Sequence, residues 1–449
     1  GKPVDELWTN LWPEVINISY TGSRSIIHRV IQIDFSSISA FLTGFSTYPQ
    51  PLRLRLRIFT IFFLYKQTHQ TVRKGELSTI MKLVFDKADL VKSVGIAMKA
   101  VSGKTTMPIL ECILIDASSN VIKFTSNDME LGIETIVTGM ILERGIVALD
   151  AKIFSEIVRK LPDNQVTIET DENLVTTITC EKAKFNIPGQ SGEDFSYLPI
   201  LETSDCVSIS QFTLKELIRQ TIFSIAANEN NKLMTGELFE IKDNTLRVVS
   251  LDGHRIAIRR IELKDSYPDR KVVVPGKTLN EISKILSGEM DDQIDIYFSE
   301  NHIMFKFDDT TVVSRLIDGE YFRIDQMLSS DYETKVTINK KEFLSCIDRA
   351  TLLVKEGDKK PIIIDIQDGA MELQINSAMG SMKEEIDINK EGKDIMIGFN
   401  PKFLIDALRV IDDEEISIYL VNPKAPCFIR NEEESYIYLI LPVNFNSVR

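Results

Sequence analysis

The chain has 449 residues, 43% hydrophobic and 26% charged, with 21 Gly and 15 Pro; this excludes a disordered or low-complexity polymer and leaves room for three domains of about 150 residues. A net charge of −14 excludes a protein coated in Lys and Arg for nucleic acid, though not a local basic patch. The five cysteines, at 112, 180, 206, 346 and 427, form no CxxC pair and no zinc-ligand spacing, which implies reduced thiols in a cytosolic protein rather than a disulfide framework.

Residues 1–80 differ from the rest. They hold both tryptophans, Trp8 and Trp12, no cysteine, and a net charge of +4, which leaves −18 for residues 81–449. Arg53-Leu-Arg-Leu-Arg57 precedes a run of eight apolar-leaning residues, 58–65, too short for a bilayer that needs about 20. Its position 50 residues in does not suit a secretory signal. The segment is expected to be a disordered or non-native leader, with Met81 opening the folded protein. A membrane-surface anchor through residues 53–65 is the alternative.

From Met81 a pattern recurs. Strands at Lys82-Leu-Val-Phe, Gly145-Ile-Val-Ala-Leu, Val207-Ser-Ile-Ser, Lys271-Val-Val-Val, Lys335-Val-Thr-Ile and Asp394-Ile-Met-Ile each lead into a helix. The helices begin near Ala88, Ala151, Thr213, Gly276, Lys340 and Asn400, a nearly constant step that marks an internal repeat of βαβββ units. Capping boxes are expected at Thr213-Leu-Lys-Glu216 and Thr278-Leu-Asn-Glu281, and N-caps at Asp86, Asp150 and Asn400, the last followed by Pro401. Strand runs at 109–115, 246–249 and 361–366 are separated by turn residues such as Ser118-Ser-Asn120, Asp243-Asn244 and Asp368-Gly369. Two units per domain place α+β domains at 81–205, 206–329 and 330–449, with linkers near 201–205 and 328–333.

The helices share a charge pattern. Lys92 with Lys99, Lys152 with Arg159, Lys277 with Lys284 and Lys402 with Arg409 are seven apart, so each pair shares one helix face. Lys215 with Arg219 and Lys341 with Arg349 also share faces, while Leu90, Val94 and Ala97, or Leu217, Ile218 and Phe223, point to the sheets. A basic pair on one helix is ordinary solvation. Six equivalent helices doing so in an acidic chain suggest a common positive lining for duplex phosphates, bound without regard to sequence. No aromatic platform for single strands is interleaved.

Chemistry is not legible. Gly103-Lys-Thr105 and Gly276-Lys-Thr278 lack the glycine that a Walker loop needs five positions earlier. His254 and His302 have no nucleophile or metal-ligand partner at useful spacing. The acid runs Asp412-Asp-Glu-Glu415 and Glu432-Glu-Glu434 read as solvated turns. No metal or cofactor is expected; the rival reading is a hydrolase on a repeated α+β scaffold.

Several motifs then fall in order along all three domains: Met107-Pro-Ile-Leu110, Ser126-Asn-Asp-Met-Glu130, Leu251-Asp-Gly-His-Arg-Ile256, Val273-Val-Pro275, Ile317-Asp-Gly-Glu-Tyr321, Ile397-Gly-Phe-Asn400 and Leu441-Pro-Val443. From Met81 to about Asn444 the chain resembles the bacterial sliding clamp, the beta subunit of DNA polymerase III. The resemblance implies three two-helix, two-sheet domains per chain. It also implies a head-to-tail homodimer ring around double-stranded DNA, in the cytoplasm, with no catalysis and no cofactor. Partners implied are the replicative DNA polymerase, an ATP-driven clamp loader and repair proteins. They would bind a pocket formed by Met234, Leu251, Gly253, His254, Arg255, Ile256, Phe322, Met327, Asn400, Phe403, Leu439, Ile440, Leu441, Pro442 and Val443. DNA contacts implied at the ring face are Lys104, Asn228 and Lys277. Phe322 stands where the family usually has Pro, Leu251 where it has a hydroxyl residue, and Asn444 where Arg is common, which implies an altered pocket rim.

Overall fold

The computed structural model describes residues 80–445 apart from 104, 202–205, 228–230, 330 and 356–359. The expectations for residues 1–79, Lys104 and Asn228 lie outside the described residues.

Among the described residues six α-helices recur: α1 Lys87–Ala97, α2 Ala151–Lys160, α3 Gln211–Thr221, α4 Gly276–Ile285, α5 Lys340–Thr351 and α6 Pro401–Val410. Each starts within two residues of its expected position, and a strand leads into each. Asp150 and Asn400 cap as expected, accepting from the backbone N–H groups of Ile153 and Lys402. The two capping boxes do not form. Ser210 caps α3 by accepting from Thr213 N–H, so Thr213 already lies inside the helix. Pro275 precedes α4, and the buried Thr278 hydroxyl pairs with Ser314 at 2.6 Å across the core. Asp86 occupies an N-cap position without a side-chain bond.

Two strand boundaries also differ. Residues 108–111 form a 3₁₀ turn, Pro108–Glu111, because Pro108 cannot donate to a ladder, and the strand begins at Cys112. Asp243-Asn244 is no turn. It lies within a long strand, Gly236–Leu251, paired antiparallel to Arg255–Pro275, where the register shifts on both sides of Asp243 and Asp243 takes φ 53°. A bulge absorbs the irregularity, bending the strand without ending it. The long hairpin thereby serves two layers at once. Asp368-Gly369 does form the turn between Ile362–Gln367 and Ala370–Ser377.

Three cores lie under three helix pairs. Leu90, Val94 and Ala97 of α1 join Phe154 and Val158 of α2; Leu214, Leu217 and Ile218 of α3 join Leu279 and Ile282 of α4; Phe343 and Ile347 of α5 join Leu404 and Leu408 of α6. Each fully buried side chain of this kind stabilises by about 1.5–3 kcal/mol. A fourth apolar cluster joins Leu238, Val249, Leu251, Ile256 and Ile258 to Tyr419, Phe428, Ile437 and Leu439.

The described strands make antiparallel sheets of thirteen, seven and four members. Pairing crosses the junctions between cores: Thr310–Ser314 with residues 131–135, and residues 255–259 with Tyr436–Ile440. On the other layer, α1 packs on α2, α3 on α4, α5 on α6, and α3 on α6. Lys99, just past α1, approaches Glu281 of α4 at 4.0 Å. The helices therefore run as one band in the order α2, α1, α4, α3, α6, α5. Among the described residues no helix is long and apolar enough to cross a membrane.

Candidate partner groove and nucleic-acid face

The turn Asp252-Gly-His-Arg255 is built by its own chemistry. Asp252 Oδ1 accepts from the N–H groups of His254 and Arg255, and Gly253 takes φ +87°, a conformation that L side chains resist. This presents His254 to solvent and turns Arg255 inward. Only 7% of Arg255 is exposed. Its guanidinium pairs with Asp252 at 3.0 Å and Asp406 at 2.7 Å, and donates to Phe223 O at 2.6 Å. It also lies over the rings of Phe223 and Phe403, at 5.3 and 4.6 Å. His254 stacks on Phe403 with centroids 6.0 Å apart and planes 21° apart. Arg255 thus joins the hairpin to α6, whose N-cap is Asn400.

The C-terminal residues complete the site through their backbone. Leu441 N–H donates to His254 O at 2.9 Å, and Val443 N–H to Gly398 O at 2.8 Å. A Cβ on Gly398 would lie 2.6 Å from the Phe445 ring, so the tail depends on that glycine for its seat. The fifteen expected pocket residues fall into two groups. Leu251, Arg255, Ile256, Leu439 and Ile440 are buried and form the base. Gly253, His254, Met327, Leu441 and Val443 are exposed, with Met234, Phe322, Asn400, Phe403 and Pro442 half-buried among them. Met234 and Phe322 pack against the fourth cluster, which places them beside Leu251 and Ile256. Residue spacing alone missed Asp406 and Phe223. Asp406 lies one helical turn beyond Phe403, a signal that could have found it; Phe223 lies in the 3₁₀ turn Ile222–Ser224, past the end of α3 rather than on its sheet-facing side.

The helix cations divide likewise. Lys92, Lys152, Arg159, Lys341 and Lys402 are exposed and make no ion pair among the described residues. The others are engaged with carboxylates or carbonyls. Lys215 donates to Leu286 O at 3.3 Å, capping the end of α4. Arg219 binds Glu216 at 2.5 Å and Asp412 at 3.0 Å. Lys284 meets Glu281 at 2.7 Å, Arg409 meets Asp348 at 3.4 Å, and Lys277 and Arg349 bind Asp128 and Glu384. Arg349 in turn holds the Glu384 carboxyl below its ordinary range. The acid runs are not idle turns either: Asp412 holds α3, Asp413 accepts from Tyr436 at 2.5 Å, and Glu434 meets Arg430 at 2.6 Å.

Comparison with known proteins agrees with this architecture. Residues 81–199, 208–322 and 325–444 match the N-terminal, central and C-terminal domains of the DNA polymerase III beta subunit. A beta sliding clamp from Staphylococcus epidermidis is 33% identical over 375 residues, spanning 81% of this chain and 99% of the relative. A crystal structure from Eubacterium rectale, assigned as a DNA polymerase III beta subunit, is 72% identical with a TM-score of 0.80, covering 81% of this chain and all of that one. The DNA polymerase sliding clamp of Bacillus subtilis is 35% identical with a TM-score of 0.79, covering 82% and 100%. The chain belongs to the DNA polymerase III beta subunit family, the bacterial sliding clamps.

Proposed function

We propose that two copies of the chain close head to tail into a ring around duplex DNA and tether the replicative polymerase, the clamp loader and repair proteins through the Arg255 groove. The observation that carries this reading is the single band of six helices, each with a cationic residue on its solvent side, backed by sheets. Lys152, Lys341 and Lys402 stand at the second residue of α2, α5 and α6, where the helix dipole disfavours a cation. An anionic ligand offsets that cost. Contacts of this kind are to phosphate, hence sequence-independent and mobile.

Two open sheet edges supply a means of closure. Among the described residues, 183–188 of Ala183–Gln190 pair on one side only, as does the whole of Gly380–Asp387. The first edge carries Lys184 and exposed Phe185, with Glu181 and Lys182 in the turn before it; the second carries Glu384, Glu385 and Asp387 against one cation, Lys383, near Leu352, which is 74% exposed. Opposite charge and apolar area on two different edges suit a head-to-tail contact, which closes rather than extends when the rotation allows. A tethered partner then rebinds at high effective concentration. The domain boundaries of this reading are 81–205, 206–329 and 330–449, and it assigns the chain no reaction, no cofactor and an intracellular setting with its DNA.

The test is topological. Protein loaded on a nicked circle should stay with the DNA through gel filtration and leave when the circle is cut. Equal retention on cut and uncut DNA would overturn the ring. Divalent-metal-dependent hydrolysis of nucleotides or phosphate esters by the purified chain would favour the enzyme reading instead.

A further inference from the structure

A cleft of about 560 Å³ opens on the long hairpin, beside the groove rather than within it. Alternation along the strand explains its position. Arg247 lies on the same sheet face as Val249 and Leu251, which sit in the apolar cluster under the groove. Across the cleft stands Asp325, between Phe322 and Met327. The Arg247 side chain is 13% exposed and is held by Glu240 and Asp325, each at 2.6 Å. Lys271 also binds Glu240 at 2.6 Å yet remains 69% exposed. Lys242 and Arg270 are exposed lining residues with no ion pair among the described residues. Arg260 adds a fifth cation, paired to Glu434 at 3.4 Å. Five cations therefore meet three lining carboxylates, Glu240, Asp269 and Asp325, in a chain whose net charge is −14. Glu240 and Asp325 are taken up by Arg247 and Lys271, and Arg260 by Glu434, so the exposed ammonium and guanidinium groups of Lys242 and Arg270 face a single lining carboxylate, Asp269, and a net positive charge is left for another anion.

We infer that this cleft receives an acidic stretch of a partner protein, flanking the apolar segment held in the adjoining groove. The inference rests on the groove's being a peptide site and adds the chemistry of the flank. The cleft is shaped for carboxylates on a flexible chain: its charges are spread over two strands and the segment carrying Asp325, not gathered around one point as a phosphate would need. Arg247 also ties the Phe322–Met327 segment to the sheet, so filling the cleft and ordering one wall of the groove are linked.

The test uses fluorescence anisotropy on the full chain. The probes are a labelled peptide with leucine and phenylalanine anchors, and the same peptide extended by four aspartates at either end. One extension should tighten binding about fivefold at low salt, the order expected for a few exposed charge pairs, and lose that gain at high salt. Lys242→Glu with Arg270→Glu should abolish the gain and leave the unextended peptide's affinity unchanged. A gain below about twofold for both extensions, or a gain that survives the double reversal, overturns the inference; weakening of both peptides alike in the reversed protein also overturns it. A single-stranded oligonucleotide that competes through Lys242 and Arg270 while the extension adds nothing would replace the acidic peptide with nucleic acid. Failure of the unextended peptide to bind the wild-type chain overturns the groove itself, and the cleft's role with it.

Discussion

Arg255 and Asp406 meet at 2.7 Å across the seam between the hairpin of the second core and the last helix of the third. The pair is largely buried, and the rings of Phe223 and Phe403 cover the guanidinium face. Removing one partner strands the other. Arg255→Ala is expected to cost about 3 kcal/mol, seen as a lower denaturant midpoint, and to weaken binding of the anchor peptide. Asp406→Asn keeps a hydrogen-bond acceptor and should cost less. Equal stability of the wild-type and Arg255→Ala proteins would show that the seam is held by sheet pairing alone.

Glu237 presents a different relationship to its surroundings. It is fully buried, and among the described residues neither carboxylate oxygen meets a partner in good hydrogen-bond geometry, the Thr221 hydroxyl being the group that interacts with it. Burial raises its pKa well above the ordinary 4.5, so folding favours its neutral form. The unfolded chain ionises it near that ordinary value. Between the two values the unfolded state binds fewer protons, so stability falls as pH rises through the window. Glu237→Gln should remove that contribution: the variant gains stability relative to wild type at about pH 8 and little at about pH 4. Thermal melts across pH check this, and parallel curves for the two proteins would place the slope elsewhere. Tyr321, itself raised chiefly by burial and then by Glu237, is the neighbouring group that would respond.

The helix cations allow a paired comparison. Reversal of Lys152 and Arg159, which make no ion pair among the described residues, should weaken retention on nicked circular DNA and lower the salt slope by about 0.9 for each phosphate that is no longer neutralised. Reversal of Arg219, bound to Glu216 and Asp412, should instead disturb the seam between α3 and α6. Its effect should appear in stability before retention. If both reversals act alike on DNA, the division between free and engaged cations has no bearing on binding.

What the sequence disclosed follows from what is periodic. Helix starts were legible because a strand–cap–helix unit returns six times, and Asp150, Asn400 and Pro401 act locally. Thr213 and Thr278 misled because each satisfies a local capping pattern while a residue three positions earlier already begins the helix, or a core partner such as Ser314 claims the hydroxyl. The long hairpin was hidden because Asp243-Asn244 has the composition of a turn, and only the pairing of Asp243 with Tyr267 and of Thr245 with Glu262, with the extra residues on the facing strand, keeps it within the ladder. The groove's outline came from motifs shared with a known family. Its fixation by Asp406 and Phe223 did not, since those hydrogen bonds join residues 151 and 32 positions apart. The charge stripe was likewise half legible: spacing puts cations on one face, but only tertiary packing decides which of them meet a carboxylate.

The two open edges give the last prediction. Leu352 is the most exposed large apolar side chain near Gly380–Asp387, and Phe185 lies on the opposite free edge, Ala183–Gln190. Neither contributes to its own core, so replacing either costs the isolated chain little. An interface that buries them would instead have to bury an unpaired charge in place of apolar area. Leu352→Glu should therefore convert a two-copy species into one of single-chain mass by light scattering while leaving the melting temperature of the monomer unchanged. Phe185→Glu should do the same from the other edge. Mixing the two variants restores one wild-type junction per pair and leaves the other doubly charged, so the mixture should give at most an open pair that slips off a nicked circle. A wild-type chain that is monomeric at every concentration, or a Leu352→Glu chain that stays dimeric, would remove these edges from ring closure.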